Sequence, residues 1–387
     1  MHRSSAACAA LAFIASLASS LPAAAQNAAT ASPAAAVSAP TPQDPTDHDH
    51  MMEVAGGPVL KFRGFADINL GVGSAANPLV FPLGVPAHTS FQLGEFDLFM
   101  TSKLAEHVSF VAELVFGSDA TNELGTDLER LQLTYKAGPL FEVSGGRYHT
   151  AIGYYNTAFH HGTWFQTAQG RPFMYYFEDA GGLLPVHNVG VTATGLVPGT
   201  GSTGLHWIAE VGNGRASTTQ TGPVQVFAAD RNYKSNNFAA YIKPDWFDGL
   251  QAGVSTYHDR LYPDGVTRVN QSITGVYAVY LNHDWEFLNE AAFLRNEFDA
   301  DGTRFDSKLM YTQVAKKIDA YHPYFRFQYV HSPDGDPVNG FIGTYKGPSV
   351  GLRYDISTYV AVKAQYNRVY VDGTATNGLG LQAAFTF

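Results

Sequence analysis

Three sets of residues could do chemistry. The first is Asp47-His48-Asp49-His50-Met51-Met52. His48 and His50, with the flanking carboxylates and thioethers, are a donor set that copper or zinc accepts weakly. Neither a fixed spacing nor a scaffold holds these ligands together, so the segment reads first as a solvated polar linker. The second set is Ser144, Ser255, His149, His258 and Asp259. A nucleophilic hydroxyl needs a base and an orienting acid beside it in space. No nucleophile-elbow sequence surrounds either serine, and no glycine loop of the phosphate- or dinucleotide-binding kind occurs. These residues therefore predict neither an enzyme nor a cofactor. The third set is larger and has a pattern: Arg63, Asp67, Glu95, Asp97, Glu113, Arg130, Lys136, Lys308, Arg326, Arg353, Asp355 and Lys363. Each sits in a stretch where polar and apolar residues alternate, which places it on the polar side of a β-strand. A row of such charges has a favourable home facing water, whereas a charge facing lipid costs up to about 2–4 kcal/mol at mid-bilayer. As a set they predict a hydrated interior bounded by an apolar exterior.

The strands that must position these side chains are legible one after another. Leu60, Phe62, Gly64, Ala66, Ile68 and Leu70 alternate with Lys61, Arg63, Asp67 and Asn69. Phe96, Leu98 and Met100 alternate with Glu95 and Asp97, and Val108 to Phe116 places Glu113 on the polar side. Phe325, Phe327 and Tyr329 oppose His322, Tyr324, Arg326 and Gln328, and Val360, Val362, Ala364 and Tyr366 oppose Lys363, Gln365 and Asn367. The chain ends on Gly378–Phe387, where Leu379, Leu381, Ala383, Phe385 and Phe387 share one side. Trp285–Phe298 alternates poorly, because Glu290 falls in phase with Leu288. From Val59 to Phe387 the pattern predicts an all-β fold, a transmembrane antiparallel barrel of about sixteen strands, with fourteen to eighteen as the range. In hydrocarbon only a sheet without edges satisfies its backbone, so the last strand is expected to pair with the first.

The connections add a separate signal. Ser74–Thr89, Asp119–Asp127, Tyr154–Val186, Arg215–Asn236, Tyr262–Asn270, Ser332–Ile342 and Asp372–Asn377 are long and fall at odd-numbered positions. The even ones, such as Ala105–His107, Gly138-Pro139, Asp284 and Asp319, are short. Long loops on one rim and short turns on the other are the outer-membrane pattern. Tyr257, Trp285, Tyr321, Tyr354 and Tyr370, near strand ends, are candidates for an interfacial aromatic girdle. The connection Tyr154–Val186 carries His160, His161, Trp164, Phe165, Arg171, Phe173, Tyr175, Tyr176, Phe177, Glu178 and Asp179. So many aromatic residues are poor outer-surface material. Folded inward, the loop would narrow the lumen, and Arg171 opposite Glu178 and Asp179 could set a transverse field. The alternatives are an extra hairpin, with Pro172–Phe177 as a strand, or a subunit contact. His160 and His161 are adjacent, point apart on a strand, and predict no metal site.

Residues 1–25 have the form of a secretory leader: His2 and Arg3, an apolar stretch Ala6–Ala18, and Ala23-Ala24-Ala25 before Gln26. The single cysteine, Cys8, lies inside it. Residues 26–57 are Ala/Pro-rich, then His/Asp-containing, and predict a flexible periplasmic segment. It is too short for a gating plug. Residues 58–387 form the barrel. The formal net charge of −10 argues against a nucleic-acid partner.

With its leader, its Leu60–Leu70 first strand, its long third outer loop after Gly153 and its terminal Phe387, the chain resembles the bacterial outer-membrane porins. The strand count is similar to that of the phosphate-selective porin-like group. The resemblance implies a homotrimer in the outer membrane of a Gram-negative-type bacterium, in contact with lipid and lipopolysaccharide. It also implies passive diffusion of small polar solutes or ions through each monomer. The phosphate-selective members use a Lys/Arg-rich interior, and no dense basic ladder is visible here. Rival functions are a non-conducting binding or envelope-structural barrel and a barrel-embedded enzyme.

Overall fold

The computed structural model describes residues 57–73, 89–118, 123–159, 162–177, 182–215, 228–229 and 231–387. The leader, the segment bearing His48 and His50, and also His160, His161, Glu178 and Asp179 lie outside the described residues. The strands are β1 (Leu60–Gly73), β2 (Ser90–Lys103), β3 (Val108–Ser118), β4 (Leu124–Gly138), β5 (Phe141–His149), β6 (His187–Leu196), β7 (Leu205–Gly212) and β8 (Ser235–Ile242). They continue with β9 (Leu250–Leu261), β10 (Val269–Leu281), β11 (Trp285–Phe298), β12 (Arg304–Lys316), β13 (Tyr321–His331), β14 (Thr344–Ser357), β15 (Val360–Val371) and β16 (Thr374–Thr386). Each strand pairs antiparallel with its neighbours in sequence, and β16 pairs with β1, so the ring of sixteen is closed. No helix among the described residues is long and apolar enough to cross a membrane. This is a transmembrane antiparallel β-barrel, in which the strands do the crossing.

Closure runs from Phe65↔Thr386 to Gly73↔Gly378. It is completed by Gly64 and Phe387, whose backbones exchange hydrogen bonds of 2.9 and 3.0 Å. The terminal ring covers Gly64: a Cβ there would sit 2.3 Å from the Phe387 ring. Glycine at 64 is what lets the aromatic end seal the seam.

Burial is inverted relative to a water-soluble protein. Phe62, Phe91, Leu93, Leu133, Val211, Phe238 and Phe293 are all more than half exposed, whereas Arg326, Lys363, Gln365 and Asn367 are buried. That is the arrangement a lipid exterior demands. Trp246, Phe247, Tyr280, Trp285 and Phe287 form a chain of ring contacts at the short-turn rim, and Tyr321 packs on Tyr354 at 4.8 Å. Tyr257 is not part of this girdle. It is fully buried and points inward, donating to Asp259.

Two further expectations change. The connection expected over Asp372–Asn377 shrinks to Asp372-Gly373, because β16 begins at Thr374. Asp372 and Gly373 both have positive φ, the conformation of a two-residue hairpin turn. Lys308 was expected inward. On β12, however, the buried positions are Ser307, Leu309, Tyr311, Gln313 and Ala315, and Lys308 is exposed on the outer face with Asp306 and Met310. The inner face of β12 is the apolar one, for a reason given below.

Candidate functional site

The site is built by the connection of residues 150–186. Its neck is closed where Thr150 N–H donates to Val186 O at 3.0 Å. The Asn156 amide also donates to both Thr150 O and Val186 O at 2.8 Å. Ala151 N–H reaches the Glu210 carboxylate on β7. From there the chain turns at Gly153, with φ of 76°, where a Cβ would collide with Tyr175 Oη and Glu290 Oε2. Tyr154 N–H and Tyr155 N–H then donate to Glu290 on β11 at 2.7 and 2.9 Å. Tyr175 Oη and Tyr311 Oη donate to the same carboxylate at 2.7 and 2.6 Å. Burial, with Glu290 adding to it, pushes the Tyr154 phenol up to about 12.

Further on, the loop lies against β13, β14 and β15. Lys363 Nζ donates to Thr163 O at 2.5 Å. Arg353 Nη1 donates to Trp164 O at 2.6 Å and Gln166 O at 3.0 Å. Arg326 Nη1 donates to Gly170 O at 2.9 Å. Gln365 Oε1 accepts from Gln169 N–H and Gln328 Oε1 from Phe173 N–H. Phe165 packs on Phe65 of β1 at 4.8 Å. On the return, Arg215 Nη1 donates to Leu183 O at 3.1 Å. In a closed ring, β7 and β15 stand half the circumference apart. A segment bonded to both passes through the interior. The stretch Phe173–Tyr175 is a single 3-10 turn rather than a strand.

Under the loop is an apolar core. Ile152, Tyr155, Met174, Tyr175, Leu183 and Leu184 pack against inward residues of β9–β15, among them Ile273, Leu288, Leu309, Val330 and Val369. This explains the poor alternation of β11: Leu288 and Glu290 both point inward, one to the core and one to the loop backbone. It also explains Lys308, because β12 gives its inner face to Leu309 and Tyr311.

The remaining predicted residues stand elsewhere on the inner wall. Arg130 Nε donates to Glu113 Oε2 at 2.7 Å and lies over Phe99. Asp67 is buried, accepting from Asn69 and from Glu95 N–H. Asp97 is buried, Glu95 half-buried and Lys136 exposed near the short-turn rim. Arg353 also pairs with Asp355 at 2.7 Å, and His322 Nε2 lies 3.0 Å from the same carboxylate. Arg171 stacks 3.6 Å from the centroid of the Phe177 ring.

Three residues of this wall, Glu129, Arg147 and His187, were not among the sequence candidates. Arg147 and His187 approach Glu129 at 3.4 and 2.6 Å, and the His149 and His187 rings are 5.5 Å apart. Glu129 occupies an irregularity in the β3–β4 register, which breaks the period that would have shown it. Glu290 had one visible signal, its phase with Leu288. Glu210 had none. The candidate nucleophiles do not converge: Ser144 bonds Thr134, His258 is exposed beside Thr256, and Asp259 binds Arg231 and Tyr257.

No protein-family model matches the chain, and no curated protein matches it in sequence. Solved structures do. It is similar to the anion-selective porin from Comamonas acidovorans, with TM-score 0.60 and 11% identity over 85% of this chain and 100% of that one. It is similar to the outer-membrane channel DcaP of Acinetobacter baumannii, with TM-score 0.60 and 11% identity over 87% and 99%. Salmonella typhi OmpF aligns with TM-score 0.55 and 11% identity over 85% and 97%. At such identities the likeness is one of fold: this chain shares the barrel fold of these solved outer-membrane porins and channels.

Proposed function

We propose that the chain is an outer-membrane porin, a water-filled and non-enzymatic channel for passive diffusion of small polar solutes or ions. In this reading residues 1–25 are a secretory leader and residues 26–57 remain in the periplasm. The long-loop rim faces outward among lipid and lipopolysaccharide, and three copies associate. The observation that carries the reading is the loop tied across the interior. It covers the inner wall of β9–β15, while Arg63 and Lys136 on β1 and β4 remain exposed. Arg326, Arg353 and Lys363 donate to loop carbonyls, which removes much of their charge from the water. Glu95, Asp97, Glu113 and Asp67 then weigh more heavily, and a weak cation preference follows. The likeness to structures named as porins and channels supports the same conclusion.

Purified protein in a planar bilayer should give stepwise current in KCl. A salt gradient should give a reversal potential of the sign for cations. Silence at all voltages removes the channel; a clear anion preference removes the acidic lumen.

A further inference from the structure

The inward arginines are not equivalent. Arg130 has Glu113, Arg147 has Glu129, Arg353 has Asp355 and the loop, and Arg326 has Gln313 and the loop. Arg63 has none of these. It is exposed, and among the described residues its hydrogen bond is a donation from Nε to the Thr386 hydroxyl at 3.2 Å. Around it stand three aromatic rings: Trp164 at 5.5 Å, Phe65 at 5.6 Å and Phe165 at 5.9 Å from the guanidinium carbon. Phe65 is buried, but Phe165 keeps 43% of its surface exposed inside a barrel whose neighbouring wall is charged. Trp164 meets Phe165 edge-on at 5.1 Å, and Arg353 holds the Trp164 carbonyl, so the rings are fixed from behind.

We propose that Arg63, Phe165 and Trp164 form a solute-binding subsite for small carboxylates that carry a flat ring. Resting on the porin reading, this inference names a solute class for that lumen. The guanidinium offers its Nη donors as a fork to a carboxylate. The exposed Phe165 face lies beside it and receives the ring by offset stacking. The exposed apolar surface of Phe165 and the water-facing charge of Arg63 are met together by one ligand that is anionic at one end and aromatic at the other. Acetate satisfies only the first and phenol only the second. Net lumen acidity sets which ions carry the current; this subsite sets which anion dwells.

The test is calorimetric titration of the detergent-solubilised full-length mature protein with benzoate, acetate, phenol and cyclohexanecarboxylate. It is paired with block of KCl current in bilayers. Benzoate should bind about tenfold more tightly than acetate, the ratio expected when about 1.4 kcal/mol of ring contact is added, and more tightly than phenol, which lacks the carboxylate. Arg63→Gln should abolish benzoate binding while leaving the barrel folded by heat-modified gel migration. Phe165→Leu should erase the preference for benzoate over cyclohexanecarboxylate. Thr386→Val removes the seam contact of Arg63 but keeps its charge, and should bind benzoate as the parent does. Equal binding of benzoate and acetate overturns the subsite, as does loss of binding in Thr386→Val with retention in Arg63→Gln. Arg63-dependent binding without current would sustain the subsite and defeat the porin reading; current without it would do the reverse.

Discussion

The inner wall of this barrel has two unlike halves. Along β9–β15 the inward residues include Ile273, Leu288, Leu309, Tyr311, Val330 and Val369, which pack beneath the loop of residues 150–186. Along β1–β4 the inward residues include Arg63, Asp67, Asp97, Glu113 and Arg130, and among the described residues the loop's rings meet this wall at Phe65 and Arg63. One half packs an apolar core beneath the loop, while Glu290, Arg326, Arg353, Lys363 and Gln365 of the same wall bond the loop's backbone. The other is a charged surface whose groups pair sideways along the wall. The difference teaches that strand alternation reports what a face touches, not whether it is inside. On β10, Val276 is exposed on the outer face while Ile273 and Val279 on the inner face pack in the core beneath the loop.

The largest test of this division is Glu290. Replacing it with Leu leaves Tyr154 N–H, Tyr155 N–H, Tyr175 Oη and Tyr311 Oη without their acceptor. Each buried donor left unpaired costs about 1–3 kcal/mol. The loop should detach from β11, and single-channel conductance should rise as the covered half opens. Unchanged conductance with an intact barrel would mean that the covered half adds nothing to the current. Gly153→Val attacks the same region through the backbone. Its φ of 76° disfavours a β-branched residue by about 1–3 kcal/mol, and the Cβ would also meet Tyr175 and Glu290. Its thermal transition should fall, though less than that of Glu290→Leu.

Gly64→Val probes the seam rather than the loop. A side chain there displaces the Phe387 ring, with an expected loss of about 1–3 kcal/mol from overpacking. It should appear as slower assembly into detergent-resistant barrel and no change in ion selectivity; altered selectivity would tie the seam to the pore. On the open half, Glu113→Gln leaves Arg130 without its carboxylate partner. The reversal potential should move toward anions; an unmoved potential would take Glu113 out of the ion path. The smallest effect concerns a loop outside both halves. Asp264 is held down to about 2, chiefly by the Thr267 hydroxyl and then by backbone N–H groups. A depressed carboxylate stabilises above its unfolded value of about 3.9. The Asp264 turn should therefore loosen as pH falls from about 4 toward 2, read as faster amide exchange at Thr267. Asp264→Asn should flatten that pH dependence.

Much of the barrel was legible because lipid and water impose opposite demands on successive residues. Phe325, Phe327 and Tyr329 against Tyr324, Arg326 and Gln328 could be sorted without any neighbour being known, and the structure sorts them the same way. Phe387 at the end of an alternating strand implied a seam with the first strand, and it forms one at Gly64. Reading failed where a third environment was present. Lys308 and Tyr257 were assigned to the wrong faces because the loop supplies an apolar surface inside the ring. Asp372-Gly373 looked longer than it is because Thr374–Asn377 lacks apolar residues that would mark a strand.

What the chain alone determined is the closed sheet, its alternating faces and the sorting of its connections, since these follow from local periodicity and the intolerance of hydrocarbon for unpaired backbone. What only the tertiary structure decided is where the loop goes and which charges it consumes. Glu210, Glu290, Arg353 and Lys363 lie far from residues 150–186 in sequence and meet them only because the ring brings opposite walls within reach. No local pattern encodes a contact across a lumen, so the division of the interior into a covered and an open half had to be seen in three dimensions.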